Sequence, residues 1–465
     1  MDCKDPLDLR SFLETVRQQS ARECLDIDEQ LDAHWEVAAC TVGLENKLRV
    51  PIIKYTDVSG TDFPVVHNVC SSLPRIARAM GESAEQFEQR LSSAYDTLIP
   101  PVKQPTGPVR DVVLLADELD LYKLPNIRYT ESETSSYISA ACLVAKDPVS
   151  NVLNLSFHRL MILGKNQLAI YMTPGGHLHE IFTKNQLEGQ DTPIAAFIGS
   201  HPLWSFGCLA AGSLQLDEYS VIGGLLGQPL EVVPALEDES LWVPAWAEFS
   251  LEGVIKHNVD ALEGPYGEAF GYTSRKAERP VIEISSLSHR SNALFQDIVP
   301  GHLEHMIMTS TAIKVHLDRT LKAEYPWIGE VHLPAPMTAY VSAKRTATSD
   351  DVRTMIDNTL RRERFIKTIS VFDDSVNISN AKETQKALAI HMQAHRDMVI
   401  VEGLTGNGLD PSEVDGLTTK WGVDATATAV KEGNANANAL PAEVLQRIDI
   451  NRILKRALDK ANKSS

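Results

Sequence analysis

Two glutamates in a short segment rich in glycine and proline are the residues of this chain best suited to acid–base chemistry. The segment from Leu262 to Tyr272 reads Leu-Glu-Gly-Pro-Tyr-Gly-Glu-Ala-Phe-Gly-Tyr and contains Glu263 and Glu268. Proline fixes one φ angle and glycine permits conformations closed to other residues, so we expect a rigid loop that holds both carboxylates at a cleft. Repulsion and desolvation would then raise the pKa of one carboxyl group, while the other would stay ionised beside a cation. A surface turn with two solvated glutamates is the simpler alternative.

A second polar segment, Asn-Leu-Ser-Phe-His-Arg at 154–159, lies in a run typical of a β-strand. Successive side chains of a strand point to opposite faces, so polar groups would line one side of it. An ordinary half-buried strand would show the same pattern. The first face would carry Asn154, Ser156 and His158, and the second would carry Leu155, Phe157 and Arg159.

Two further segments carry groups that could bind an anion or a metal ion. The segment at 173–180 places a Gly-Gly bend before His177 and His179, and the backbone amides freed by such a bend could bind an anion. Asp217 and Glu218 precede an apolar run rich in glycine. Taken singly, a histidine after two glycines is more often structural, and an acidic pair is more often exposed.

The composition argues against several classes of function. The chain has 465 residues and a formal net charge of −18 at pH 7, which opposes binding to the phosphates of nucleic acid. No apolar run approaches the length of a membrane span, and the charged residues at 1–13 do not form a secretory signal. The six cysteines include no Cys-x-x-Cys pair, which argues against a thiolate metal site and a disulfide framework. We therefore expect a cytoplasmic protein with reduced thiols and with neither nucleic acid nor membrane as a partner.

The elements that would position these residues follow from the spacing of apolar side chains. Apolar residues at helical spacing from Leu9 to Val16 predict an amphipathic first helix. Before a connector rich in proline at 100–108, we expect a short strand at 50–55 and a helix at 73–98. After the connector, runs rich in Val, Ile and Leu predict a mostly β region, with strands at 152–157, 160–163, 168–172, 194–198 and 281–287.

The C-terminal third reads as an α/β unit. A helix at 301–321 leads into strands at 338–341 and 369–372, which alternate with helices at 350–361 and 380–395. The predicted division of the whole chain is an N-terminal α/β domain at 1–108, a mostly β domain at 109–310, a C-terminal α/β domain at 311–430, and a linker with a final helix at 431–465.

The final segment predicts an oligomer. An Asn-Ala linker at 430–439 is followed by an amphipathic helix at 441–460, whose apolar stripe needs a surface to cover. We therefore expect at least a homodimer, built through the C-terminal domain and this helix.

In their order and separations, the polar segments resemble the UbiD family of prenylated-FMN-dependent decarboxylases. The specific part is Asn-x-x-x-x-Arg joined to Glu-Gly-Pro-Tyr-Gly-Glu, and the resemblance runs from about Asp8 to Thr426. It implies a mixed α/β (α+β) fold: an N-terminal α/β domain, a central flavin-binding domain that is mostly β and resembles a split barrel, and a C-terminal α/β oligomerisation domain with a terminal helix.

The resemblance also implies site residues. It makes Arg159, Glu263 and Glu268 the catalytic residues. It makes Asn154, His177 and Glu218 the ligands of a divalent metal that bridges to the cofactor phosphate, with K⁺ near Glu218. An amide oxygen, an imidazole and a carboxylate suit Mn²⁺ or Mg²⁺. Besides these three ligands, the implied cofactor-binding residues are Ser156, Phe157, His158, Arg159, Gly176 and Lys367, of which Lys367 would reach the phosphate.

The implied reaction is the reversible, non-oxidative decarboxylation of an aromatic, heteroaromatic or α,β-unsaturated carboxylic acid. Loss of CO₂ from an sp² carbon leaves an electron pair that no side chain can delocalise, so prenylated FMN would be the electron sink. A proton must then reach the same carbon, and Glu268 is the predicted donor, with Arg159 orienting the carboxylate pair. A flavin prenyltransferase would supply the cofactor.

Two other classes of function stay open. A metal-dependent hydrolase could use His177, His179 and Glu180 as its metal site. A non-catalytic flavin-binding protein of the same fold is the second alternative. Such a protein would be expected to lack Glu268 or Arg159, and both are present.

Overall fold

The N-terminal part combines a small sheet with four helices. This computed structural model describes residues 7–48, 50–268, 271–344, 346–426 and 440–463. The first helix is confirmed, because its apolar residues at helical spacing are buried. The elements are α1 Leu9–Gln19, β1 Cys24–Ile27, α2 Glu36–Leu48, β2 Ile52–Tyr55, β3 Val65–His67, α3 Leu73–Ala79 and α4 Ala84–Ser93.

The prediction of one continuous helix at 73–98 is wrong. Gly81 lies between α3 and α4 with a φ of +75°, a left-handed conformation that ends helices. Ser83 then begins α4 as an N-cap, and its side chain accepts a hydrogen bond from the Gln86 amide. The chain therefore forms two short helices here.

The central part contains most of the strands of the described chain. Short 3-10 helices lie at Ala21–Glu23, Pro108–Arg110, Ala116–Glu118 and Leu121–Lys123. The central elements are β4 Val102–Lys103, β5 Val112–Leu115, β6 Tyr137–Lys146, β7 Leu153–Ile162, β8 Gln167–Ile170, α5 His177–Leu187, β9 Thr192–Ile198, α6 Pro202–Gly207, α7 Glu218–Leu226, β10 Glu231–Pro234, β11 Trp242–Pro244, β12 Phe249–Glu263, β13 Ala277–His289 and β14 Phe295–Gln296.

Six of these strands close into an antiparallel barrel in the order β12-β9-β6-β7-β8-β13, with β13 pairing back to β12. Apolar side chains such as Leu160, Ile170 and Ile282 fill its interior. The two runs predicted at 152–157 and 160–163 form a single strand, β7, in which Arg159 lies opposite an irregularity of β6, where the register shifts between Ile138 and Ala141. The predicted α/β class with a central, mostly β domain is confirmed.

The barrel joins the flanking parts through shared strands. Strand β14 extends the N-terminal sheet in the order β1-β2-β3-β14. Strand β4, in the connector rich in proline, pairs with β10 in a second small sheet. The connector is therefore part of the central architecture and not a free linker.

The C-terminal part is a five-stranded sheet in the order β15-β16-β17-β19-β18, in which β16, β17 and β19 run parallel. The helix predicted at 380–395 is two helices. Its elements are α8 Leu303–Glu324, β15 Ile328–Ala335, β16 Thr338–Ala343, α9 Ser349–Arg362, β17 Thr368–Asp373, α10 Ala381–His391, α11 Ala394–Asp397, β18 Met398–Thr405 and β19 Leu417–Ala425.

The final helix is also interrupted. It comprises α12 Ala442–Arg447 and α13 Ile450–Lys463. Between them Asp449 accepts a hydrogen bond from the Arg452 amide at 2.9 Å, which is the bond of a new N-cap. The linker predicted at 430–439 lies outside the described residues. None of the described helices combines the length and the apolar composition that crossing a membrane requires.

Candidate active site

The two glutamates of the glycine- and proline-rich segment flank one buried arginine. Glu263 is the last residue of β12, and Glu268 lies in the loop that follows. Nε and Nη2 of Arg159 donate to Oε1 and Oε2 of Glu263 at 3.0 and 3.3 Å, while Nη1 donates to Oε1 of Glu268. A single guanidinium therefore bridges both carboxylates, which lie in a buried site and not on a surface turn.

The loop between the glutamates is held by a glycine conformation and by hydrogen bonds to the segment that follows it. Gly264 has a φ of +97°, which only glycine adopts without strain. The Glu268 amide donates to Tyr272 O at 2.7 Å, and the Tyr266 amide donates to Ser274 Oγ at 3.0 Å. The predicted rigidity of this loop follows from these bonds.

The two carboxylates differ in their hydrogen-bond donors. Glu263 is 1% exposed and accepts from Arg159 twice and from the Tyr137 hydroxyl at 3.2 Å. Glu268 is 8% exposed and accepts from Arg159 Nη1. Donors stabilise the ionised form of a carboxyl group, so the arrangement favours an anionic Glu263 and places a shared proton on Glu268.

Electrostatics agrees with this assignment. Burial raises the pKa of Glu268, and the charge of Glu263 adds to that rise, while Arg159 opposes it. Burial acts to lower the pKa of Arg159, but the two carboxylates outweigh it and hold that pKa above its ordinary value. Arg159 therefore stays charged, and the raised pKa of Glu268 favours its protonated form.

Aromatic side chains wall the site. The guanidinium of Arg159 lies 4.5 Å from the ring centre of Tyr171 and 4.9 Å from that of Tyr266. These contacts are cation–π interactions, and they hold the guanidinium in one orientation. Sequence reasoning missed Tyr137 and Tyr171. Their place one strand away from Arg159 depends on the register of β6 and β8 and cannot be read from local spacing.

A cavity of about 210 Å³ opens onto Arg159 and Glu268. Ligand pockets commonly measure ~300–1,000 Å³, so this cavity would hold only part of a nucleotide cofactor. His305 lines it, and burial, with Arg159 nearby, lowers the pKa of His305 to about 4, so this imidazole is neutral. Phe365 and Leu409 of the C-terminal part close the cavity on another side.

A second cluster unites the three predicted metal ligands. Asn154 Nδ2 lies 3.0 Å from Glu218 Oε1 and 3.2 Å from His177 Nδ1, and His177 Nδ1 lies 3.8 Å from the same Glu218 oxygen. Glu218 is 1% exposed, whereas Asp217 is exposed, so only one member of the acidic pair lies at the surface. Its Oε2 is buried and has no hydrogen-bond partner in the described part of the chain.

Two helices begin at this cluster. His177 is the first residue of α5, with Gly176 as its N-cap, and Glu218 is the first residue of α7, with Asp217 as its N-cap. The amino end of a helix carries partial positive charge and free amide donors, which favour an anion such as a phosphate. Burial raises the pKa of Glu218, and the contact with Glu218 raises the pKa of His177.

The remaining predicted cofactor-binding residues occupy three environments. Ser156 and His158 bond to each other at 2.9 Å, and His158 Nδ1 lies 3.0 Å from Tyr171 O. Phe157 lines the cavity. Among the described residues, Lys367 Nζ donates to Asp410 and Ser412 at 2.5 Å and not to the Asn154 cluster.

One cross-domain contact was not foreseen. Arg364 donates to Pro174 O at 2.7 Å and to Gly406 O at 3.1 Å, which ties the C-terminal part to the turn before α5. Nothing in the local sequence around Arg364 signals this contact, because it joins segments that are distant in the chain.

The structure does not support the hydrolase site. His177 and His179 are two positions apart on α5, so their side chains leave the helix in nearly opposite directions. No group of three His, Cys, Asp or Glu side chains suited to a metal ion occurs among the described residues. The Asn154 cluster differs from such a group because one of its members is an amide.

Known proteins resemble this chain in sequence along most of its length. Residues 17–94 match the N-terminal domain of the 3-octaprenyl-4-hydroxybenzoate carboxy-lyases, residues 101–303 match their Rift-related domain, and residues 306–425 match their C-terminal domain. The anhydromevalonate phosphate decarboxylase of Methanothermobacter thermautotrophicus is 28% identical over 428 residues, which cover 90% of this chain and 96% of that protein.

Solved structures agree along nearly the whole chain. The UbiD-class enzyme HmfF from Pelotomaculum thermopropionicum in complex with FMN is 30% identical, with a TM-score of 0.85 over 96% of this chain and 99% of that one. An evolved dimeric form of HmfF in complex with prFMN is 28% identical, with a TM-score of 0.82 over 96% and 100%. The similarity therefore extends through all three parts of the fold.

Proposed function

Because this chain belongs to the UbiD family, as its motifs predict, and is therefore a carboxy-lyase, we propose that it catalyses a reversible, non-oxidative decarboxylation with Glu268 as the proton donor. The substrate is an aromatic, heteroaromatic or α,β-unsaturated carboxylic acid. The observation that carries the assignment is the unequal pair: Arg159 bridges both carboxylates, but Glu263 receives the greater number of donors.

The proton balance explains the need for such a pair. Loss of CO₂ from a carboxylate leaves a carbon that must take up one proton, so each turnover consumes a proton from the protein. Protonated Glu268 supplies it. The ionised Glu263 balances the charge of Arg159 while Glu268 is neutral, and Arg159 stabilises Glu268 once it becomes an anion. The side chain of Glu268 is 10% exposed, which allows water to return the proton.

Prenylated FMN is the proposed cofactor, and when bound it supplies the electron sink that side chains lack. Asn154, His177 and Glu218 would hold Mn²⁺ or Mg²⁺ beside its phosphate, with K⁺ near Glu218. The unpaired, buried Oε2 of Glu218 supports this, because a buried carboxylate oxygen without a donor is costly unless a cation approaches it. Ser156, Phe157, His158 and Gly176 would line the cofactor, and Lys367 would contact its phosphate.

The aromatic lining of the cavity supports a substrate whose unsaturated part is flat. Its walls include the rings of Tyr171, Tyr266 and Phe365 and the side chain of Leu409. Arg159 lines this cavity and would receive the reacting carboxylate. We further assign to the protein a flavin prenyltransferase as supplier of the cofactor, a cytoplasmic location and a homodimer or larger homo-oligomer.

Isotope exchange tests whether Glu268 is the proton donor. Decarboxylated product is incubated in D₂O with the holoenzyme, and deuterium is followed at the carbon that carried the carboxylate. Replacing Glu268 by Gln keeps the shape but removes the proton, so exchange should fall by a factor on the order of 10² to 10⁴. Undiminished exchange in Glu268→Gln would move the proton transfer to another residue, with Glu263 the next candidate.

Metal and flavin content test the second cluster. The protein is purified with and without co-expressed flavin prenyltransferase, and released metal and flavin are quantified. His177→Ala should lose both, whereas His179→Ala is the matched control, because His179 leaves α5 on the other side. Wild-type occupancy in His177→Ala would show that the metal lies elsewhere.

A further inference from the structure

A second arginine lies in the same row of side chains as Arg159. The β7–β8 register pairs Leu160 with Ile170, and the β8–β13 register pairs Val281 with Ala169. Continuing these registers, one step beyond the first pair and two steps beyond the second, makes Arg159, Tyr171 and Arg279 neighbours across three strands that share one face of the sheet. Their ring contacts agree with this row, because the guanidinium carbons of Arg159 and Arg279 lie 4.5 and 4.8 Å from the ring centre of Tyr171.

The two arginines differ in what neutralises them. Arg159 is paired with Glu263 and Glu268. The side chain of Arg279 makes no ion pair or hydrogen bond with any residue that the structure describes, and its Nε is buried without a partner. A buried donor without an acceptor is costly, and two cations on one tyrosine ring repel each other unless an anion is present.

The net charge around Tyr171 favours binding of an anionic ligand. With Glu268 protonated, Arg159 and Glu263 cancel, and Arg279 leaves one uncompensated positive charge beside Tyr171. Arg159 is already positioned for the reacting carboxylate. Arg279 is not among the residues that line the cavity but contacts Tyr171, which lines it, so Arg279 is available for a group that extends past that ring.

Accepting the proposed function, we propose that Arg279 recognises a second anionic group of the substrate, remote from the carboxylate that is lost. Strands lie ~4.8 Å apart, so backbones two strands apart are separated by about 10 Å. A substrate that spans Arg159 and Arg279 is therefore an unsaturated acid whose chain ends in a second anion, a phosphate or a carboxylate. The similar decarboxylase of Methanothermobacter thermautotrophicus is named for a phosphorylated substrate, which is the same chemistry.

Binding without turnover tests this. Dissociation constants are measured in the Glu268→Gln holoenzyme for three probes: hex-2-enoate, hex-2-enedioate and 5-phosphooxypent-2-enoate. The first carries one anion, the second adds a carboxylate and the third adds a phosphate. We expect a doubly charged probe to bind more tightly than hex-2-enoate, and the tighter of the two identifies the natural group.

Substitution of Arg279 then tests whether this residue causes the difference in affinity between the probes. Arg279→Gln should weaken binding of the preferred doubly charged probe by roughly 10- to 100-fold, as the loss of a charged hydrogen bond does, and leave hex-2-enoate unchanged. Arg279→Lys should retain part of the affinity, because it keeps the charge but not the planar fork. Arg275→Gln is the matched control, since Arg275 is an exposed arginine of the same hairpin and should have little effect.

The outcomes separate the proposals. Equal weakening of all three probes, no weakening in Arg279→Gln, or the same weakening in Arg275→Gln would overturn the role of Arg279. Because no turnover is needed, a protein that shows the expected binding but never exchanges or releases CO₂ in its wild-type form would reject the proposed function and leave the anion site standing.

Discussion

The hydroxyl of Tyr137 offers a direct test of how the carboxylate pair divides its proton. Tyr137 is fully buried on β6, and its hydroxyl donates to Glu263 Oε1 at 3.2 Å. Tyr137→Phe removes that donor and leaves the ring, which packs against Tyr266 at 4.5 Å between centres. The ionised form of Glu263 should then be harder to maintain.

The size of the effect follows from the geometry. A hydrogen bond to a charged group contributes roughly 1.5–3 kcal/mol. The Tyr137 bond is long and Arg159 still donates twice to Glu263, so the lower end, ~1.5 kcal/mol, is appropriate. One pH unit corresponds to about 1.4 kcal/mol, so activity should be lost on the acid side about one pH unit higher than in the wild type.

The assay is the pH dependence of kcat/KM for decarboxylation, from which both limbs are fitted. Tyr55→Phe is the control, because Tyr55 is equally buried but its hydroxyl bonds to Thr41 in the N-terminal part. The acid limb should move in Tyr137→Phe alone. An unmoved limb, or the same movement in Tyr55→Phe, would mean that Tyr137 only packs the site and that donor number does not place the proton.

Three further predictions concern the scaffold. Burial raises the pKa of Glu304 to about 7, above its ordinary value, so the stability that the neutral form contributes is present at low pH and lost as pH rises through 7. The free energy of unfolding measured with urea should therefore fall by about 3 kcal/mol between pH 4.5 and 8, and Glu304→Gln should abolish this fall. The same dependence on pH in Glu304→Gln would contradict the prediction. A Cβ at Gly223 would lie 2.1 Å from Ile99 O, so Gly223→Ala should destabilise the protein by about 1–3 kcal/mol, whereas Gly43→Ala, in open space within α2, should stabilise it by ~0.4–1 kcal/mol; equal changes would refute the packing. A chain that ends at Val430 should sediment as a smaller assembly than the full chain, because the apolar stripe of α13 is exposed here, with Ile450 64% and Leu458 54% exposed; an unchanged assembly would remove this helix from the interface.

Local sequence carried most of the information about the chemistry. The glycines and the proline between Glu263 and Glu268 indicate a rigid loop because their backbone preferences are intrinsic to each residue. The mostly β character of the middle of the chain likewise follows from local runs of branched apolar residues. The ends of helices were less predictable, since caps such as Ser83 and Asp449 interrupt patterns that apolar spacing alone reads as continuous.

Only the tertiary structure decided which groups meet. The register of β6 brings Tyr137 to Glu263, and the registers of β7, β8 and β13 place Tyr171 between Arg159 and Arg279. Strand pairing joins residues that are far apart in the chain, and a shift of one residue would send every side chain to the other face. Burial is likewise a property of the packed molecule: it encloses Glu218 at the start of α7 while the adjacent Asp217 stays exposed, and it raises the pKa of Glu268.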